Sequence, residues 1–363
     1  MPAGRVAQDC CDRCAGAGAV LRTGAVAQRR LLKAAVFPAR ESSRSEGRQV
    51  GQPARVDPTL AYADPNPAAH RGAGDGELSR AVAGTVLDVS PQVLVLGDET
   101  AEQRYTLTPG ALAWRGAQLE PAALQQGDQV VARLHPASGR IADRIWANIG
   151  RATGTIIERS GSTLVVDEGA TRNPRVVVIR PPAEGRVLVR FPTLEPGYLL
   201  DVIGLRRNGE LHAIIPATSQ PAYPADKLPT PQLVGHVPDS ISGSATWHEP
   251  GDGPAGVLGV CYPALDPDTG CAEDAINGHS HGYARMPYLA IGSVLRVRNE
   301  CTKRETALTV TGCAPVARLF NDRCVTCDTS PRGRVADLTM ASFVALGGEL
   351  DRGCFNATIT IGR

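Results

Sequence analysis

From about residue 80 onward the chain is a series of short apolar runs separated by glycine, proline, aspartate and asparagine. None keeps a 3.6-residue period long enough for an extended helix. Val93–Leu96 and Val176–Ile179 are continuous β-branched and leucine runs suited to strands of a small closed barrel. Gly243–Trp247 reads as the opening strand of the last third. Gly292–Arg298 is a turn followed by an alternating strand, Val316–Phe320 a further strand, and Phe355–Ile361 a closing one. Val335–Thr339 leads into a short helix over Met340–Leu346, stopped by Gly347 and Gly348. Asp337 or Thr339 can cap that helix, because a side-chain oxygen there accepts an otherwise unpaired first-turn N–H. The pattern predicts an all-β protein.

Self-comparison organises the middle of the chain. Gly84-Thr85-Val86 recurs as Gly154-Thr155-Ile156, and Leu94-Val95-Leu96 as Leu164-Val165-Val166. Leu124 and Gly127 recur as Leu194 and Gly197, and Gly139 as Gly209, every pair about 70 residues apart. Each unit has room for five or six strands. This predicts two tandem small OB-like β-barrels at 80–149 and 150–216. OB-type barrels can hold oligosaccharides or nucleic acid, but neither unit clusters aromatic with basic residues, which favours a spacer or scaffold. Residues 217–234 are proline-rich and read as a linker to a segment at 235–363. Residues 1–79, rich in Ala, Arg, Gly and Ser without periodicity, read as disordered.

Charge removes one class of partner. Lys plus Arg (38) balance Asp plus Glu (37), leaving none of the positive surplus on which nucleic-acid binding rests. A neutral glycan fits at least as well. No apolar stretch approaches the roughly 18 residues needed to span a bilayer.

Of ten cysteines, seven crowd the last third: Cys261, Cys271, Cys301, Cys313, Cys324, Cys327 and Cys354. That density predicts disulfides and an oxidising compartment. Seven is odd, so at least one thiol stays free or pairs elsewhere. Arg29–Pro38 begins with basic residues, but its apolar run is too short for a signal peptide. The expectation of secretion or envelope location therefore rests on the C-terminal segment.

In that segment several motifs stand in one order: Ala245-Thr246-Trp247, Leu289-Ala290-Ile291-Gly292-Ser293, Asn321-Asp322-Arg323, and Asp337-Leu338-Thr339 followed by the Ala341–Phe343 helix. Together they resemble the six-stranded double-psi β-barrel of RlpA-like lipoproteins, barwin-type proteins and the first domain of expansins. Cys324-Val325-Thr326-Cys327, directly after Asp322-Arg323, is closest to the barwin and expansin form. The resemblance covers about 125 residues of this chain. It implies binding or remodelling of cell-wall polysaccharide, peptidoglycan foremost, with Asp322, Asp337 and Thr246 as the polar set.

Two alternatives stand beside that reading. A lytic transglycosylase of the RlpA type would use Asp322 as general acid, since cleaving a glycosidic bond needs a proton for the leaving oxygen. Here, though, His279 stands where that family has glutamate, and Met286 where it has histidine. A barwin-like protein-binding module is the other alternative. Sugar-stacking candidates are Tyr283, Tyr288 and Trp247, with His279 nearby. No cofactor is implied. His279-Ser280-His281 lacks a third metal ligand, and Cys324-x-x-Cys327 reads as structural because no second CxxC matches it.

Overall fold

The computed structural model describes residues 80–97, 101–169, 172–218, 224–225, 239–249, 257–264, 286–314, 317–320, 324 and 333–361. The sequence-based expectations of a disordered 1–79 and of most of the linker fall outside these residues. The described part is all-β and forms three closed barrels.

The first barrel contains β1 (Arg80–Val89), β2 (Val93–Gly97), β3 (Glu102–Trp114), β4 (Gln118–Leu119), β5 (Gln129–Leu134) and β6 (Ile141–Ala147). Its pairings close the ring β1-β2-β3-β6-β5, with β3 and β6 parallel and β4 a short spur on β3. The second contains β7 (Ile149–Ser160), β8 (Thr163–Asp167), β9 (Arg175–Ile179), helix α1 (Pro181–Leu188), β10 (Leu199–Arg207) and β11 (Glu210–Pro216). It closes as β7-β8-β9-β11-β10, with β9 and β11 parallel. Numbered within each unit, both rings run 1-2-3-5-4, the five-stranded Greek-key arrangement of the OB fold.

The sequence repeat has a structural cause. The bulge between Val86 and Asp88 recurs between Ile156 and Glu158. The bond from Gly127 N–H to Val86 O recurs from Gly197 N–H to Ile156 O. Gly127 and Gly197 both have φ +89°, which a side chain would strain. Gly154 is demanded by contact instead: a Cβ there would overlap Asp167 O on the neighbouring strand.

The third barrel is built from β12 (Ser240–His248), β13 (Val260–Tyr262), β14 (Val294–Asn299), β15 (Glu305–Cys313), β16 (Arg334–Thr339), helix α2 (Met340–Ala345) and β17 (Cys354–Ile361). Its ring runs β12-β16-β13-β15-β14-β17, with β12 parallel to β16 and β13 parallel to β15. Replacing every strand by the one three later in this barrel reproduces the same ring. That internal two-fold of interlocked crossovers is the double-psi topology. Thr339, not Asp337, caps α2, accepting a bond from Ser342 N–H. Gly347 follows with φ +83° and ends the helix as expected.

One predicted strand is not formed. Ala317–Leu319 is a 3-10 turn, closed by bonds from Ala317 N–H to Ala314 O and from Phe320 N–H to Ala317 O. The apolar run there serves to bury Phe320, whose ring lies 4.3 Å from the Arg334 guanidinium. It pairs with no neighbouring strand.

The barrels are not beads on a string. The core of the third continues into Trp114, Val131 and Trp146 of the first and Ile149, Ile203 and Leu205 of the second. Polar ties reinforce the junctions. Arg133 and Arg144 of the first barrel pair with Glu349, and Trp146 Nε1 donates to Asp351 at 2.7 Å. Between the second and third, the fully buried Asp201 takes Arg151 at 2.7 Å and Arg334 at 2.7 Å. Thr153 and Thr218 hydroxyls each donate to it at 2.8 Å.

Candidate functional site

Strand register alone brings three reactive side chains onto one patch. Asp337 on β16 lies opposite Thr246 on β12 and, on its other side, opposite Cys261 on β13. Residues paired directly across strands point to the same face, and so does a residue two further along one strand. His248 is two beyond Thr246. The apolar partners on the opposite face, Trp247, Leu338, Val260 and Tyr262, fill the barrel and are buried. Thr246, His248, Cys261 and Asp337 therefore line its outer wall.

The distances make a chain. Thr246 Oγ1 donates to Asp337 Oδ1 at 2.9 Å. His248 Nδ1 lies 3.6 Å from Asp337 Oδ2, an ion-pair separation, and His248 Nε2 lies 3.8 Å from Cys261 Sγ. His248 is 9 % exposed and Asp337 15 %, so both side chains are largely enclosed. Burial alone would push Asp337 upward, but His248 beside it, with Arg151 and Arg334 behind, holds it well below the usual carboxylate range. Burial alone would lower His248, yet Asp337 and Cys261 raise it to about 9. The pair is an ionised carboxylate facing an imidazolium.

The second barrel closes one side. Arg151 Nη1 donates to Trp247 O at 3.1 Å and its backbone N–H to Glu249 Oε1 at 2.7 Å. Glu168, shifted upward by burial, accepts from Thr153 N–H at 3.2 Å. Together with Asp337 and His248 it borders a void of about 20 Å³. A larger cleft, about 780 Å³, opens between the first and third barrels and is lined by His135, Asp143, Thr302, Arg352 and their neighbours.

Of the residues singled out from the sequence, Thr246 and Asp337 meet here. Asp322, Tyr283, His279, Cys271 and Cys327 lie outside the described residues. Trp247 is wholly buried, with Nε1 donating to Leu350 O at 2.9 Å, so its ring is core and not a platform for sugar. Tyr288 is 41 % exposed. Cys324 and Cys354 form a disulfide, and Cys301 and Cys313 are also disulfide-bonded. Cys261, counted among the disulfide candidates, is a free thiol: its strand position commits it to the Asp337 face. His248, Cys261 and Glu168 were not read as site residues. For His248 the available signal was its period-two spacing from Thr246; for Cys261, the odd cysteine count.

Among the described residues no helix is long and apolar enough to cross a membrane. No protein-family model and no curated protein matches the chain. The class that fold and site define is an all-β, three-barrel protein whose double-psi barrel carries a polar Thr–Asp–His–Cys relay on its outer wall.

Proposed function

We propose that the third barrel binds cell-wall polysaccharide, peptidoglycan foremost, outside the cytoplasm and without hydrolysing it. The observation that carries this reading is the state of Asp337, ionised and held by Thr246. A fixed carboxylate accepts hydrogen bonds from sugar hydroxyls, each about 1.5–3 kcal/mol when one partner is charged. It cannot serve as general acid, which must carry its proton at working pH. Glu168, the nearby carboxylate shifted upward by burial, borders the same void of about 20 Å³ as Asp337, which holds about one water, so a sugar hydroxyl and not a sugar ring would enter it. For Asp337 these features favour an expansin-like loosening of glycan contacts over proton donation; Asp322, the general acid of the alternative reading, lies outside the described residues. The disulfides are in keeping with an oxidising compartment.

The test is retention of the purified chain on insoluble peptidoglycan sacculi and on cellulose. Wild type is expected to be retained on sacculi, and Asp337→Asn to lose affinity by roughly 10-fold or more, the equivalent of one charged hydrogen bond. Equal retention of the variant, no retention of either protein, or release of anhydro-muropeptides would overturn the proposal.

A further inference from the structure

Cys261, His248 and Asp337 invite a reading that glycan binding does not use. The three side chains form a line and not a cage: sulfur faces Nε2, and the opposite ring nitrogen faces the carboxylate. A metal site would need sulfur, one ring nitrogen and a carboxylate oxygen converging on a single point. A relay that moves a proton between sulfur and ring needs the two faces of the imidazole occupied separately, as they are here. The orienting group is itself oriented, since Thr246 fixes Asp337 Oδ1 and leaves Oδ2 for the ring. His248 Nδ1 is buried with no hydrogen-bond acceptor other than the facing Asp337, which assigns the Nδ1 proton to that side. Cys261 is half-buried, and Gly312 on the paired strand β15 leaves its sulfur uncrowded, with a Cβ at that position only 3.3 Å from Sγ.

We infer that Cys261 is a nucleophilic thiol, activated by His248 with Asp337 as the positioning residue, and that it acts on the carbonyl carbon of an amide. With His248 already an imidazolium, Cys261 Sγ attacks the carbonyl carbon as the thiolate, its charge facing the Nε2–H. The carbon–nitrogen bond breaks as the Nε2 proton moves to the departing amine, leaving a thioester on Cys261. Water then attacks the thioester and gives a proton to Nε2. The carboxylic acid departs, the carbon–sulfur electrons return to sulfur, and the thiolate–imidazolium pair is restored. The net change is amide plus water to acid plus amine. Amides of this class abound in the peptide stems that cross-link cell-wall glycan, but the thiol chemistry does not depend on glycan binding.

The groups facing the relay set its pH behaviour. On the third barrel these are Asp337 and Arg334. From the second barrel and its junction, Arg151, Arg172, Glu168 and Glu249 border the same void, with Arg175 paired to Glu249 at 2.7 Å.

The experiment uses the full chain. Iodoacetamide labelling at pH 6, followed by peptide mass spectrometry, reads the rate at Cys261. His248→Gln, which keeps the side chain polar but removes the cation facing sulfur, is expected to slow that rate about 10-fold, as thiolate content and nucleophilicity offset in part. p-Nitrophenyl acetate serves as the acyl probe. Wild type should give a burst of one equivalent of p-nitrophenolate, an acetyl group on Cys261, and its slow hydrolysis. Cys261→Ala should abolish all three while keeping retention on sacculi. Should His248→Gln be misfolded by circular dichroism, Asp337→Asn provides the second comparison, with acylation slowed and Cys261 still labelled. Equal labelling of wild type and His248→Gln, stable acetyl-Cys261 with no hydrolysis, or Cys261 found in a disulfide in the native chain would each overturn the inference. Retention on sacculi, scored separately with Cys261→Ala, tells that failure apart from a failure of the glycan reading.

Discussion

Replacing Asp201 by alanine is the sharpest test of how the barrels are held together. Its carboxylate is fully buried and receives the Arg151 guanidinium through both oxygens, at 2.8 and 2.7 Å, and Arg334 at 2.7 Å. The arginines are 2 % and 1 % exposed, so water cannot take over when the carboxylate is removed. An intact buried ion pair adds little over a well-packed apolar substitute, because desolvation offsets the attraction. Removing one partner, by contrast, strands an uncompensated charge at about 3–5 kcal/mol. Here two guanidiniums, one from each barrel, are stranded at the junction. Arg334→Met leaves Asp201 paired with Arg151 and should therefore cost less than Asp201→Ala. Urea unfolding followed by circular dichroism measures both. Taking about 2–4 °C per kcal/mol for a chain of this order, Asp201→Ala should lower Tm by roughly 10 °C. A loss under about 1 kcal/mol, or an Arg334→Met variant less stable than Asp201→Ala, would refute the account of this junction.

Three further predictions concern pH and backbone. Arg151 and Arg334 overcome the effect of burial to hold Asp201 at about 2 against an ordinary 3.8, so its contribution is complete above pH 3.8 and is lost as pH falls toward 2. The loss amounts to about 2–3 kcal/mol, and the stability gap between wild type and Asp201→Asn should narrow over that window in acid titrations. His248 behaves oppositely: held at about 9 against 6.5, it stabilises fully below pH 6.5 and loses that contribution as pH rises through 9. His248→Gln should flatten the alkaline limb of the same curve. Gly154→Ala should cost well over the roughly 1 kcal/mol typical of a tolerated glycine, because the new methyl meets Asp167 O across the β7–β8 pair. Gly185→Ala on helix α1, where a Cβ meets nothing, is the control expected to leave urea midpoints unchanged or raised.

What the chain discloses before folding is governed by sequence separation. The strands, the helix stop at Gly347 and the tandem units are local or periodic features. The 70-residue repeat was readable because the same bulge and the same left-handed glycine must be built twice. Val316–Phe320 misled because alternation reports which side chains are buried and is silent on whether a neighbouring strand exists to pair with. The site is harder still. Thr246 and Asp337 are 91 residues apart and were joined only through resemblance to a barrel in which they meet. Cys261 looked like one more disulfide candidate, because seven cysteines announce an odd member without saying which. The Asp201 network joins residues 50 and 133 positions apart, and each member, taken alone, reads as a solvated surface charge. Pairing β12 with β16 and β16 with β13 converts those separations into neighbours. Once that register is known, alternation along β12 requires His248 to share a face with Thr246, and pairing with Asp337 requires Cys261 to join them. The relay on the outer wall is thus a consequence of β16 lying between β12 and β13, which sets a thiol, an imidazole and a carboxylate in one line.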